Sequence, residues 1–229
     1  MSGRIFFPPV IGAILVLFLV LMFITAPLLI LGLIGRTLSR FGLSLLTFFG
    51  FLALSLLGSM INLPVLRYRT TQPVVSIKYA YYFGIPYPVQ SVENRPAEGV
   101  VSINVGGAVL PLILSLYLLL MNPETLLPSA LAVPIVSILI YFVARPVKGL
   151  GIVTPMFVPP IIAAIVAILV GGSYAPVVAY VGGTLGTLIG ADLFHIGSIK
   201  SLGAPNVSIG GAGTFDGIFL TGLLAALLA

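Results

Sequence analysis

The sequence predicts an all-α membrane protein with about seven transmembrane helices and a small β-rich extramembrane segment between the second and third. Three observations predict it. Hydrophobic residues fill 59% of the 229 positions and charged residues only 7%, with a mean hydropathy of +1.25. Soluble domains are about a quarter charged, so this chain cannot build a water-facing surface and its main solvent must be lipid. Apolar runs of about 20 residues, enough to cross a hydrocarbon core of about 30 Å, recur from end to end. Only 64–99 breaks the pattern, gathering Arg67, Arg69, Lys78, Glu93, Arg95 and Glu98.

The chain, 1–229, therefore reads as a single membrane domain carrying an extramembrane insert at 64–99. It contains no cysteine, which excludes disulfides and thiolate metal sites. The net charge of +5 is spread over loops and carries topology information rather than forming a nucleic-acid patch. The lipid bilayer is the expected partner, nucleic acid is not, and the oligomeric state is not legible.

The first span runs from Val10 to Leu33, with a kink expected at Pro27. It is longer than the apolar core of a signal peptide and lacks a small-residue cleavage site, so it reads as a retained helix. The second covers Phe41 to Leu63. In the insert, Val74 to Phe83 is β-branched and aromatic, and Phe83-Gly84-Ile85-Pro86 breaks it, which predicts a β-hairpin. Tyr79, Tyr81, Tyr82 and Tyr87 suit a membrane interface. As an edge strand, this segment could receive an extended peptide, with Tyr79 and Tyr81 aligning substrate. A structured surface loop is the plainer reading.

The third span, Val100 to Met121, holds Asn104, Gly106, Gly107 and Pro111, which predicts a kink and a close backbone neighbour. The fourth, Leu126 to Ala144, ends at Arg145-Pro146-Val147-Lys148-Gly149. The fifth, Leu150 to Val170, is crowded by Pro155, Pro159 and Pro160. Only 159–170 can be uninterrupted helix, about 18 Å long, so the first half is kinked, re-entrant or unwound. The sixth, Tyr174 to Ile196, spaces Gly182, Gly186 and Gly190 by four, as close helix contacts require. Helical phase sets Asp192 on the opposite face, with Val178, Val181, Leu185, Leu188 and Ile189. The seventh, Val207 to Ala229, has a start softened by Gly210, Gly211 and Gly213.

Seven spans would put Arg4, Arg67, Arg69, Lys78, Arg95, Arg145, Lys148 and Lys200 on one side and only Arg36 and Arg40 on the other. The positive-inside rule then expects a multi-pass protein of the cell membrane, its N-terminus cytoplasmic and its C-terminus outside.

Function should lie where ionisable groups are expensive. Asp192 and Asp216 are two of only five acidic residues, and a charge within a span costs about 2.5–3.5 kcal/mol on insertion scales. Two adjacent carboxyls can share a proton and act as acid and base on a peptide bond. The depths must agree. If helix begins at Val207, Asp216 lies about 13 Å along it, deeper than Asp192; if Gly210 to Gly213 is unwound, the depths match. Gly210, Gly211, Gly213, Thr214 and His195 are the supporting residues, and no cofactor or metal is needed.

Paired aspartates on spans six and seven, with glycines before the second, resemble the presenilin and signal-peptide-peptidase class of intramembrane aspartyl proteases. Gly211-Ala212-Gly213-Thr214-Phe215-Asp216 places two more residues before the acid than that class does. The resemblance implies hydrolysis of a membrane-embedded peptide, with Asp192 and Asp216 catalytic. A longer resemblance runs through Asn104-Val105-Gly106-Gly107-Ala108, Ala144-Arg145-Pro146-Val147, Gly190-Ala191-Asp192 and Gly210 to Gly217. These are similar to an uncharacterised family of prokaryotic multi-pass membrane proteins, a domain of unknown function. That likeness implies a membrane location and no particular reaction.

Two alternatives stand beside the dyad. Asp192, His195 and Asp216 could serve an ion-coupled transporter or bind a divalent cation, since Asp192 and His195 are three apart on one helix face. Each Asp could instead cap a helix or satisfy broken backbone.

Overall fold

The computed structural model describes residues 9–82, 85–147, 151–198, 206–213 and 216–229; for 9–13, 70–82, 85–89, 91–95 and 97 it describes the backbone alone. Helix α1 (Pro9–Phe41) is followed by α2 (Leu45–Gly58), then by strands β1 (Asn62–Tyr82) and β2 (Ile85–Asn104). A π-helical turn, Val105–Val109, leads into α3 (Leu110–Met121). Next come α4 (Leu126–Val143), β3 (Arg145–Val147), β4 (Gly151–Val153) and α5 (Val158–Gly171). Helix α6 (Ala175–Thr187) continues into a second π-helical turn, Leu188–Leu193. Strand β5 (Asn206–Ile209) and helix α7 (Gly217–Leu228) complete the order.

Three helical stretches are long and apolar enough to cross a membrane: Ile14–Phe41, Pro123–Val143 and Val158–Ser198. The last doubles back at Gly172, whose φ of +52° favours glycine. Helix α2, Val105–Met121 and α7 are apolar but shorter. Large apolar side chains cover the outside: Phe23 is 81% exposed and Leu46 84%. Such an apolar exterior is compatible with a membrane protein.

Several boundaries differ from the sequence expectation, each for a local reason. The second helix stops at Gly58 rather than Leu63, because Asn62 already pairs with Asn104 across β1 and β2. Val100 to Asn104 belongs to β2, so the third helix starts at Val105. Pro111 lies in the first turn of α3, where it does not interrupt the helix. The fifth helix starts only at Val158, with Pro159 and Pro160 in its first turn; Gly151–Val153 before it pairs with β3. Pro27 lies inside α1, which continues through it.

The insert forms an antiparallel ribbon in unbroken register from Leu66↔Val101 to Tyr82↔Ile85, with a bulge between Pro64 and Leu66. Its pairing extends past 64–99 at both ends. At about 3.3 Å per residue its 21-residue strand is about 70 Å long. The sheet order is β1-β2-β5, with β5 parallel to Val100–Ile103 at the base of the ribbon.

Helix α6 is the packing centre. Its Val177, Tyr180 and Val181 meet Leu114 and Leu118 of α3 and Phe41 of α1, with Phe41 edge-on to Tyr180 at 5.5 Å. Val178 and Ala179 join Ala132, Val136 and Ile140 of α4 and the alanines of α5. The glycine seam works as its spacing predicts. A Cβ on Gly182 would press on Ala132, one on Gly186 on Val136, and one on Gly190 on the Ser137 backbone. Small residues thus bring α6 against α4 at backbone distance.

Candidate functional site

The site is built on a polar joint at the base of the ribbon. Asn104 is fully buried. Its Nδ2 donates to the Ser59 carbonyl at 2.7 Å and to Asn62 Oδ1 at 3.1 Å, and its Oδ1 accepts from the Gly107 N–H at 2.8 Å. Ser208 Oγ donates to the same Asn62 oxygen at 2.6 Å. Asn104 thereby ties the end of α2, both strands of the ribbon and the first π-turn, and Asn62 adds β5.

Glycines complete the joint. A Cβ on Gly106 would overlap the Ser55 carbonyl; one on Gly107 would overlap the carbonyl of Gly210; one on Gly213 would overlap the Ser59 side chain. Gly210 and Gly213 also hold φ of +71° and +63°, values that disfavour any residue with a Cβ. The Asn104–Ala108 motif and the Gly210–Gly213 turn, a hundred residues apart in sequence, therefore lock backbone to backbone.

That turn decides the depth of Asp216. The expected helical start at Val207 is not formed, since 206–209 is a strand and α7 begins at Gly217. The alternation Val207-Ser208-Ile209 fits the free edge of β2, and Ile209 buries beside Val101 and Ile218. Asp216 is the N-cap of α7. Its Oδ1 accepts from the Ile218 N–H at 2.9 Å and its Oδ2 from the Ala212 N–H at 3.5 Å. Gly217, the next residue, faces Thr154 before α5 and Thr187 on α6. Asp216 thus sits at the start of its helix, beside the end of α6.

Asp192 lies in the second π-turn, partly buried. Asp216 is near enough for its charge to bear on Asp192. No hydrogen bond from the described residues reaches the Asp192 carboxyl. A π-turn adds a residue to the helical turn and shifts side-chain phase, so Asp192 does not keep the facing that uniform 100° steps give it. Behind the acids a row of buried hydroxyls follows the α6–α7 contact. Thr187, Thr184 and Tyr180 lie on one face of α6, and Thr221 of α7 packs on Gly183. The hydroxyls of Tyr180, Thr184, Thr187 and Thr221 find no hydrogen-bond partner among the described residues.

His195 does not join the carboxyls. It is buried, with Nδ1 placed to donate to the Ala191 carbonyl at 2.9 Å and to the Gly190 carbonyl at 3.2 Å. Its ring stacks on Tyr141 of α4 at 4.7 Å. No group of three metal-ligating side chains forms among the described residues. The histidine is consumed by the helix end that carries it.

Tyr79 pairs with Pro88 and Tyr81 with Pro86 near the tip of the ribbon. Tyr79 lies about 56 Å along the strand from Asn62 at 3.3 Å per residue, and the side chains of both tyrosines lie outside the described ones. Thr214 falls outside the described residues. Sequence reasoning missed Thr154 and Thr187, which only the approach of α5 and α6 to Gly217 reveals. It also missed Asn104 as the joint, although an amide among glycines in an apolar run was a visible signal.

The model of the family described as protein of unknown function (DUF1614) matches residues 56–228. The chain belongs to the DUF1614 family. The match takes in the end of α2, the ribbon, the Asn104 joint, both aspartates and α7, and leaves α1 outside. No curated protein and no solved structure matches this DUF1614 chain. The resemblance to an uncharacterised family is thus met, and the likeness to presenilin-type proteases gains no support from the comparisons.

Proposed function

We propose that this DUF1614 protein is a seven-pass protein of the cell membrane, N-terminus cytoplasmic and C-terminus outside, in which Asp192 and Asp216 hydrolyse a membrane-embedded peptide. The observation that carries the reading is the place of Asp216: it caps the start of α7, and Gly217 beside it meets Thr187 at the end of α6, just before the π-turn that carries Asp192. Irregular backbone surrounds them on several sides: two π-turns, the β3–β4 pair and the glycine turn. In a bilayer, such backbone is tolerated where protein covers it or water reaches it, and hydrolysis needs that water.

The hydrogen bonds support one division of roles. Asp216 accepts from two backbone N–H groups, an arrangement suited to a carboxylate, so it acts as the base that takes a proton from water. Asp192 has no such donors and supplies the proton to the leaving amine. The water oxygen then bonds to the carbonyl carbon, the C–N bond breaks, and the two carboxyls exchange protonation states for the next cycle.

The row Thr187–Thr184–Tyr180 favours a second reading, in which the same two acids bind a proton or cation that moves along the α6–α7 contact in an ion-coupled transporter. His195 takes no part in it. A peptide carrying a secondary hydroxyl in place of the scissile amide, with a photoreactive tag, separates the readings, because such a mimic of the tetrahedral state binds paired carboxyls far better than substrate does. Labelling of the protein in liposomes should fall about tenfold or more in Asp192→Asn and in Asp216→Asn. Undiminished labelling in both variants contradicts hydrolysis. Proton uptake that Asp192→Asn abolishes, in a protein the probe never labels, supports transport.

A further inference from the structure

The end of the bundle opposite the aspartates holds a cavity of about 720 Å³. It is bounded by the last turns of α1, the α5–α6 bend and the end of α7. Arg36 and Arg40 line it, four residues apart and so on one face of α1. Ser39 and Ser173 add hydroxyls to the same wall, while Leu33 and Leu227 line the apolar side. Neither arginine makes an ion pair among the described residues.

Two like charges four apart on a helix repel each other. The C-terminal helix dipole offsets part of that cost, but it gives no reason for a hollow beside the pair. An oxyanion with several acceptor oxygens turns the repulsion into shared attraction, since guanidinium forks bind phosphate oxygens in pairs. The cavity is of the size that ligand sites occupy. Its two walls differ in polarity, arginines and hydroxyls on one and leucines on the other, and it lies where the apolar run of α1 ends. An amphipathic anion fits that division better than a fully hydrated one.

We propose that this cavity binds a phosphate group, held between Arg36 and Arg40, with the apolar wall favouring the headgroup of an anionic phospholipid. Ser39 and Ser173 hydrogen-bond its ester or glycerol oxygens, and Leu33 and Leu227 lie along the first methylenes. The site is independent of the aspartates and of any reaction they perform.

The test is native mass spectrometry of the full chain, delipidated in detergent and titrated with phosphatidylglycerol or with phosphatidylcholine. The anionic lipid should bind more tightly, because the choline cation of phosphatidylcholine opposes the arginines, and Arg36→Gln/Arg40→Gln should weaken phosphatidylglycerol binding by about tenfold or more and bring it close to that of phosphatidylcholine. Arg36→Lys/Arg40→Lys, which keeps the charge, should retain intermediate affinity and serves should the glutamine pair fail to fold. Inorganic phosphate in a competing arm fixes the source. Displacement of the lipid at millimolar concentration makes free phosphate the occupant, and no displacement makes it the lipid. Equal binding of the two lipids, or unchanged phosphatidylglycerol binding in the charge-removing variant, overturns the proposal.

Discussion

Asp216 has two tasks that substitutions can separate. Its Oδ1 caps α7 through the Ile218 N–H, and in the proposed reaction its carboxyl works with Asp192. Asn preserves a cap and Ala does not, and loss of an N-cap costs about 0.5–2 kcal/mol. Asp216→Ala should therefore lower thermal stability, whereas Asp216→Asn should melt near the parent temperature and still lose activity. A melting curve beside an activity assay checks both; an active Asp216→Asn would leave capping as its whole role. At Gly107 the outcome is stability alone. Its Cβ would run into the Gly210 carbonyl, backbone that cannot swing aside as a flexible side chain does, so Gly107→Ala should destabilise by about 1–3 kcal/mol. Denaturant titration in mixed micelles reads this directly. The sequence showed that Asn104, Gly106 and Gly107 invite a close neighbour. It could not show that the neighbour is the Gly210–Gly213 turn, because a contact across a hundred residues leaves no local pattern.

Among the elements, legibility followed chemistry that acts within a few residues. Prolines at 159 and 160 delayed α5 as expected, because a missing N–H is harmless only in the first turn. Glycines spaced by four on α6 met α4 as expected, because that spacing repeats on one helix face. The start of the seventh helix was misplaced because Val207 and Ile209 are as apolar as a helix requires. Only the open edge of β2 turns them into a strand. Likewise Val100–Asn104 belongs to a strand whose partner, Asn62–Leu66, lies on the far side of a hairpin. The ribbon itself makes an element-level prediction. A two-stranded hairpin is marginal on its own in water, while its base is fixed by Asn104. Removing 70–97 and joining Arg69 to Glu98, which already face each other, through Asn-Gly should leave helical circular dichroism and melting temperature near the parent values. A collapse of the helical signal would mean that the ribbon holds the bundle together.

At the scale of the whole molecule, composition announced lipid as solvent, and the apolar exterior agrees with it. Composition could not rank the spans: α2 and α7, with 14 and 12 residues, reach only about 21 and 18 Å at 1.5 Å per residue. The loops beside them complete the passage in the seven-pass reading. The absence of cysteine makes the topology measurable without background. Single cysteines at Ser173 and Ser198, at opposite ends of α6, should react with an impermeant maleimide from opposite faces, Ser173→Cys from outside intact cells and Ser198→Cys only after permeabilisation. Labelling of both from one face would remove the passage between them. The same arrangement puts both aspartates at the cytoplasmic end, and the account stands or falls on what they do together. The most direct measurement is cleavage of a helical membrane peptide by the purified protein in liposomes, parent against Asp192→Asn and Asp216→Asn. The account predicts cleavage by the parent and loss of about a hundredfold or more in each single variant, because acid and base each contribute about 10²–10⁴. Cleavage at the parent rate by either variant would contradict it.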